Sequence, residues 1–312
     1  MDMYPFPAGL TYEASAEVEG IMTQAIRLVE QKIKEIKLVG LDEEGKYALF
    51  QDGIIPYSMM HNRIHSSIIK TGSSLFYRLN NEDHLEIVNT SLMEDPLLLW
   101  DAVLAKEEIL AKTLNFAFDV KLGYLTSRIT EVGTGLRVKV LLHLPGIVRT
   151  GYIKKLTQAV HQVGFSLKEY TRQGHLFKKE FYELSNSLTI GKTEIELIEG
   201  IKELVERIEK KEMDALETLQ SAQDKVLEDE LYRAYGTLQY ARLLSYEEGI
   251  ELLSKVRLGI NFGYFEGISM GQVDALLFSI YPKEETYKKV QVGKKEEMQR
   301  AEYIRAHLYG HQ

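Results

Sequence analysis

The chain has no cysteine in its 312 residues, which excludes disulfides and thiolate metal sites. It has no apolar run near the roughly 20 residues that cross a bilayer. Met1 to Gly9 carries two prolines and an acid, so no secretory leader pattern opens the sequence. Positive charge is also in deficit. Lys and Arg number 38 against 46 Asp and Glu, a net charge of −8, which argues against general nucleic-acid binding. Tryptophan occurs once, at Trp100. What is present is ordinary for a globular protein: 45% hydrophobic and 27% charged residues, in a length that suits one large domain or one domain plus an appendage.

Periodicity divides the chain. Thr11 to Lys34 reads as an amphipathic helix, with Thr11 and Ser15 as candidate caps and Val18, Ile21, Met22, Ala25, Ile26 and Val29 on one face. Tyr47 to Ile55 is apolar but broken by Asp52-Gly53, a poor strand or a helix end. Leu75 to Leu79 and Leu85 to Asn89 are short strands around an Asn80-Asn81 turn. Asp95-Pro96 opens a helix to about Leu114, in which Trp100 is expected in the core. A helix over Tyr152 to Val163 stops at Gly164, and strands follow at Phe165 to Tyr170 and Phe181 to Thr189, flanking a polar loop from Arg172 to Glu180. Thr193 and Glu196 have capping-box spacing and start a helix to about Leu219. Beyond Asp224 the pattern is all helical: Lys225 to Gln239, Ser245 to Arg257, Ser269 to Tyr281 and Lys294 to Tyr309. The expected domains are residues 1–205, mixed α+β, and 206–312, helical.

The most informative stretch is Asn115 to Val148. It reads as a turn at Lys121-Leu122-Gly123, a short apolar segment, a Gly133-Thr134-Gly135 turn, and a strand from Leu136 to Leu144. Arg137 and Lys139 alternate with apolar residues, so both cations share one face. Glycines let backbone N–H groups approach an oxyanion, and neighbouring cations add charge. The pattern fits a phosphate site and equally a plain hairpin with a basic outer face. Upstream, His61, Arg63 and His65 alternate, a pattern open to metal or phosphate but equally to ordinary surface residues.

This stretch resembles the signature region of the ATP:guanidino phosphotransferases, in particular their bacterial protein-arginine-kinase branch. Asn80-Asn81-Glu82-Asp83-His84-Leu85 is similar to that family's Asn-Glu-Glu-Asp-His-Leu segment. Tyr182 to Asn186 and Leu188 to Lys192 are similar to its Ile-Ser-Asn and Thr-Leu-Gly-Lys segments, and Leu252 to Ile260 to a bacterial segment. The resemblance runs from about Tyr4 to the last helix. It implies an α+β fold, an antiparallel sheet flanked by helices of the guanidino-kinase or glutamine-synthetase-like kind, with a helical C-terminal part. It also implies a bacterial cytoplasmic setting.

The family's reactive residues are only partly matched. Where the signature reads Thr-Ser-Cys-Pro-Thr-Asn, this chain has Thr126-Ser127-Arg128-Ile129-Thr130-Glu131, with Arg128 at the cysteine position. The phosphate-gripping arginine after the His-Leu pair is Glu86. The Arg-Gly-Thr-x-Gly-Glu segment is Lys168 to Gln173, and the guanidinium-orienting glutamate falls near Leu176. An opening Ser-Ser-Arg-x-Arg strand is expected to be lacking before Met1. Glu82 matches the carboxylate that partners the substrate guanidinium, or else completes a structural turn with Asp83 and His84. Phosphoryl transfer depends on positioning and positive charge, and each lost phosphate contact costs roughly 1.5–3 kcal/mol.

Three functions are therefore weighed. One is a catalytically inactive pseudokinase with a regulatory or binding role. Another is an active Mg-ATP-dependent arginine kinase with a rebuilt site, its nucleotide candidates being Arg128, Arg137, Val138, Lys139, Lys168 and Arg172. The last is a scaffold. The resemblance suggests a homodimer or a heterodimer with an active arginine kinase, and a zinc-finger activator or Clp stress-protease partners; no metal, nucleic acid or membrane is expected. In the branch, an Arg-Asp pair before the last helix binds phosphorylated arginine. The matching Glu296 and Glu297 would repel phosphate, and Arg300 and Arg305 are expected at the surface or in ion pairs rather than as ligand groups.

Overall fold

Two central strands with apolar residues at successive positions need cover on both faces, and the chain supplies it. The computed structural model describes all residues except 73, 93, 173–174, 177–179, 281–293 and 310–312, with only the backbone at Gln51, Arg172, His175 and Leu176. It separates into two compact units. The first comprises Met1–Lys139, Gly164–Ser166 and Ser185–Leu204, and the second Val140–Val163, Leu167–Leu184 and Val205–Gln312.

In the first unit, β1 (Lys34–Lys37), β2 (Ser67–Lys70), β3 (Leu75–Leu79) and β4 (Leu85–Asn89) form an antiparallel sheet in chain order. On one face Ile69, Leu75, Tyr77 and Leu79 pack with helix α1 (Tyr12–Val29) and with Leu110 and Leu114. On the other, Ile68 and Phe76 pack with Leu49, Ile55 and Met59, from and around helices α2 (Glu43–Gln51) and α3 (Tyr57–Met60). Period-2 alternation within each strand puts adjacent apolar residues into opposite cores.

Both strands around the Asn80 turn have the bounds read from the sequence, and Thr11 caps α1 by accepting from the Ala14 N–H at 3.2 Å. The helix is shorter than expected. It stops at Val29, and Lys34 to Lys37 pair with β2 instead, Ile36 opposite Ile68. Sheet pairing overrides local helix propensity there, and Glu30 marks the break by accepting from the buried Tyr77 hydroxyl at 2.6 Å. Asp52-Gly53 follows helix α2 rather than interrupting a strand. Helix α4 (Pro96–Leu110) starts on an Asp95 cap, but Trp100 is only half-buried and Ile109 is 43% exposed. The core side of this helix is Leu110, so the expectation of a core tryptophan is corrected.

The second unit holds most of a three-stranded sheet ordered β7 (Lys139–His143), β11 (Phe181–Asn186), β8 (Phe165–Glu169). Helices α5 (Pro145–Arg149) and α6 (Ile153–Gln162) join its first strands, and Gly164 closes α6 at φ +84°. The expected polar loop contains a small hairpin of β9 (Thr171–Arg172) and β10 (His175–Leu176). Thr193 and Glu196 make the reciprocal capping box, with Thr193 N–H to Glu196 Oε2 at 2.7 Å, and open helix α7 (Glu194–Ser221). Helices α8 (Lys225–Tyr240), α9 (Tyr246–Asn261), α10 (Met270–Ser279) and α11 (Lys294–Tyr309) build one apolar core around Leu231, Leu253, Val256 and Ile304.

Of the two placements expected for Arg300, the surface or an ion pair, the surface is not the one it takes. It is buried, its guanidinium donating to the Leu244 carbonyl at 2.8 Å and the Ile280 carbonyl at 3.1 Å. Arg305 donates to the Ala241 carbonyl. Both arginines close open ends of the helical core. The neighbouring Glu296 and Glu297 are half-buried on α11.

Candidate functional site

The site is built on the turn between β3 and β4. Asn80 takes φ +52°, a left-handed conformation that asparagine tolerates, and is fully buried. Its amide donates to the carbonyls of Ser15 (3.0 Å) and His65 (2.8 Å), anchoring the turn to α1 and to the lead into β2. Asn81 accepts from Ser58 Oγ at 2.8 Å and donates to Glu86 Oε1 at 2.5 Å. His84 is buried, its Nε2 lying 2.9 Å from the Pro5 carbonyl, and burial lowers its pKa to about 4, so it is neutral at pH 7. Asn80 and His84 therefore hold the turn, and Glu82 and Asp83 project from it.

The glycine-containing stretch meets this turn from the other side, in a form different from the strand–turn–strand expectation. Strands β5 (Phe118–Asp119) and β6 (Gly123–Tyr124) form a small hairpin. Tyr124 bridges to Gly133, and Ile129–Glu131 form a short 3-10 turn between them. Gly123, at φ +83°, is required by close approach, since a Cβ there would stand 2.4 Å from the Gly133 carbonyl oxygen. The expected strand from Leu136 starts only at Lys139, so Arg137 precedes it. The Asn186 side chain accounts for the delay. It accepts from the Val138 N–H at 2.8 Å and donates to the Leu136 carbonyl at 3.0 Å. Thr189 donates to the Val132 carbonyl at 2.7 Å. Two residues of the resembling C-terminal segments thus buttress the signature.

The charges are paired off locally. Arg128 Nη2 binds Glu82 Oε1 across 46 residues of sequence. Arg137 pairs with Glu131 at 2.5 Å, and Arg78 with Glu86 at 3.1 Å. Arg78 also donates to the Ile54 and Gly53 carbonyls, at 2.7 and 3.2 Å. Asp83 accepts the Ser127 N–H at 2.8 Å. Burial pushes the Asp83 pKa up against that hydrogen bond, and nearby Glu86, Glu131 and Glu82 push the same way. Three arginines face four carboxylates here, and each arginine has a glutamate on it. A cavity of about 300 Å³, lined by Pro7, Ala8, Ser58, Asn81, Glu82 and Ser127, opens beside the Glu82 carboxylate.

The sequence candidates are thus dispersed. Glu82 and Arg128 come together, Arg137 stands against Glu131, and the Val138 N–H is already used. Lys139 is exposed at the start of β7. Lys168 is exposed on β8 in the second unit, and the Arg172 side chain lies outside the described part. His61 and His65 do not form a pair. His61 meets the Tyr57 ring at 4.7 Å and His65 the Tyr12 ring at 4.4 Å. No cluster of three or more His, Asp or Glu able to hold a metal occurs among the described residues. Sequence reasoning missed Glu131 and Arg78. The available signal was charge complementarity, Glu131 lying three residues from Arg128 and Arg78 standing opposite Glu86 across the β3–β4 pairing.

Residues 17–215 match the family model of the ATP:guanido phosphotransferase C-terminal catalytic domain, and residues 224–312 that of the protein-arginine kinase McsB C-terminal domain. The protein-arginine kinase of Listeria welshimeri is 31% identical over 268 residues, 85% of this chain and 78% of that protein. The protein-arginine kinase of Caldanaerobacter subterraneus subsp. tengcongensis is 30% identical over 313 residues, 97% of this chain and 92% of that protein. Among solved structures, the duplicated taurocyamine kinase of Schistosoma mansoni, with bound transition-state-analogue components, superposes with TM-score 0.59 at 21% identity. That match covers 67% of this chain and 31% of the other. A lombricine kinase gives 0.56 at 18% identity, covering 67% and 63%. These structures agree with the α+β antiparallel fold expected from the sequence.

Proposed function

This chain belongs to the ATP:guanido phosphotransferase family and carries a protein-arginine kinase C-terminal domain; from that premise we propose that it is a catalytically inactive or strongly impaired member with a binding or regulatory role. One observation carries the proposal: Arg128, Arg137 and Arg78 each sit in an ion pair with a glutamate, inside a cluster where carboxylates outnumber them. A nucleotide triphosphate with magnesium needs cations that are free to turn onto its oxygens. Here a phosphate would have to displace Glu82, Glu131 or Glu86 and then stand beside the released carboxylate. These three arginines, as paired, do not fit that ligand.

Glu82 is likewise engaged, since Arg128 occupies the carboxylate that a guanidinium would need. The arginine at the family's cysteine position therefore acts as an internal surrogate for the substrate's guanidinium, and the same pair adds to the closure against phosphate. Retention of the fold without that chemistry suits a protein that pairs with a copy of itself or with an active arginine kinase.

Incubation with Mg-ATP and an arginine-rich test protein, followed by mass spectrometry, tests the proposal. The expected result is no phosphoarginine above the enzyme-free control. Turnover that depends on Arg128, Lys139 and Lys168 would instead establish a working kinase with a rebuilt phosphate site.

A further inference from the structure

The first unit contains another concavity, of about 400 Å³, between α1 and the β1 edge. Its wall includes Glu19, Gly20, Thr23 and Arg27 of α1, Glu35 of β1, and His65. Glu19 is only 3% exposed, yet its Oε1 has no hydrogen-bond partner among the described residues. The nearest opposite group, His65 Nδ1, is 3.7 Å from Oε2, beyond hydrogen-bond reach. One helical turn on, Thr23 belongs to the same wall, and its buried Oγ1 has no hydrogen-bond partner among the described residues. Burying a carboxylate is costly unless it is paired, so this oxygen marks a donor yet to arrive.

The remaining charges of the wall do not supply that donor. Arg27 holds Glu35 at 3.1 Å, and Lys37 stands 3.7 Å from the same carboxylate. Among the described residues Glu19 thus has only His65 opposite its carboxylate, at 3.7 Å, while Glu35 has both Arg27 and Lys37. Gly20 adds an independent indication. It sits in the middle of α1 without a positive φ, and a Cβ built there meets nothing within 4 Å. Glycine weakens a helix interior relative to alanine, and the space above Gly20 beside the cavity wall is open.

We propose that this cavity binds a small organic cation, a guanidinium or primary ammonium compound, through the Glu19 carboxylate and the Thr23 hydroxyl. Either group carries several N–H donors and can serve both oxygens at once. A hard divalent ion would need more oxygen ligands than the wall offers. The volume far exceeds the roughly 10–15 Å³ of probe-occupied space that one water requires.

Isothermal titration with agmatine and with 1,4-diaminobutane tests this on the full chain. Saturable binding is expected at or below millimolar concentrations, weakened at least about tenfold by Glu19→Gln, which removes the charged acceptor. Gly20→Leu should block the cavity to the same degree while leaving the circular-dichroism melting point unchanged or raised, so a folding defect is separable. Glu82→Gln should leave the binding intact. No saturable heat up to about 10 mM would mean that the cavity holds solvent only and would overturn the proposal. So would binding indifferent to both Glu19→Gln and Gly20→Leu, or binding lost with Glu82→Gln instead.

Discussion

Two carboxylates line two cavities of the same unit, and they have opposite fates. Glu82 stands partly exposed beside the smaller cavity and is answered by Arg128. Glu19 lies buried in the larger one with an oxygen unanswered among the described residues. The first has the family's sequence context and an occupied carboxylate; the second has no motif and an open one. Family resemblance locates a site, and pairing decides whether that site can still take a ligand. A third carboxylate calibrates both. Glu212 in α7, as buried as Glu19, accepts the Gly146 and Ile147 N–H groups at 2.6 and 2.9 Å and so caps α5.

Glu212→Ala strips two buried donors of their acceptor and should cost about 2–4 kcal/mol in urea unfolding. Glu19→Gln should change stability by less than about 1 kcal/mol, because no hydrogen bond to its orphan oxygen is lost. If the two variants cost the same, the Glu19 oxygen is not the orphan described. Acid sharpens the contrast from another side. Burial raises the Glu180 pKa, but His143, Ser254 and Arg149 outweigh it and hold the carboxyl at about 2. A folded pKa below the unfolded value gives stability that is present above about pH 4.5 and lost as pH falls toward 2. Urea midpoints should therefore decline across that window, and Glu180→Gln should flatten the decline.

The pairing account also predicts a gain. Glu82→Gln with Glu131→Gln frees Arg128 and Arg137, and pyrophosphate affinity by calorimetry should rise at least about tenfold. An unchanged affinity would show that something other than the glutamates silences the cleft. Smallest of all, Arg128→Ala should shift stability by under about 1 kcal/mol, the usual worth of a partly exposed ion pair, and should leave nucleotide affinity as it was.

Much of the scaffold was legible in the chain. Strands β3 and β4, the Thr193 capping box and the Gly164 stop are local patterns, and local physics suffices for them. Strand β1 was not legible, because Lys34 to Lys37 becomes extended only through pairing with β2 about thirty residues on. Arg300 read as a surface cation because its acceptors, the Leu244 and Ile280 carbonyls, come from two other parts of the chain. At the site, motifs located Glu82, Arg128 and Arg137, while the Arg128–Glu82 bond that neutralises them spans 46 residues. Glu19 was hidden by its neighbours. Val18 and Met22 advertise an apolar face, and the buried Glu19 and Thr23 beside it, spaced four apart, were its only sequence trace.

Among the described residues, the three arginines of the inherited cleft, Arg78, Arg128 and Arg137, are each held by a glutamate. Isothermal titration of the unmodified chain with Mg-ADP tests most directly whether that pairing closes the cleft to a nucleotide. No saturable heat is expected at millimolar nucleotide. A dissociation constant in the micromolar range, lost on Arg137→Ala and Arg128→Ala, would contradict it.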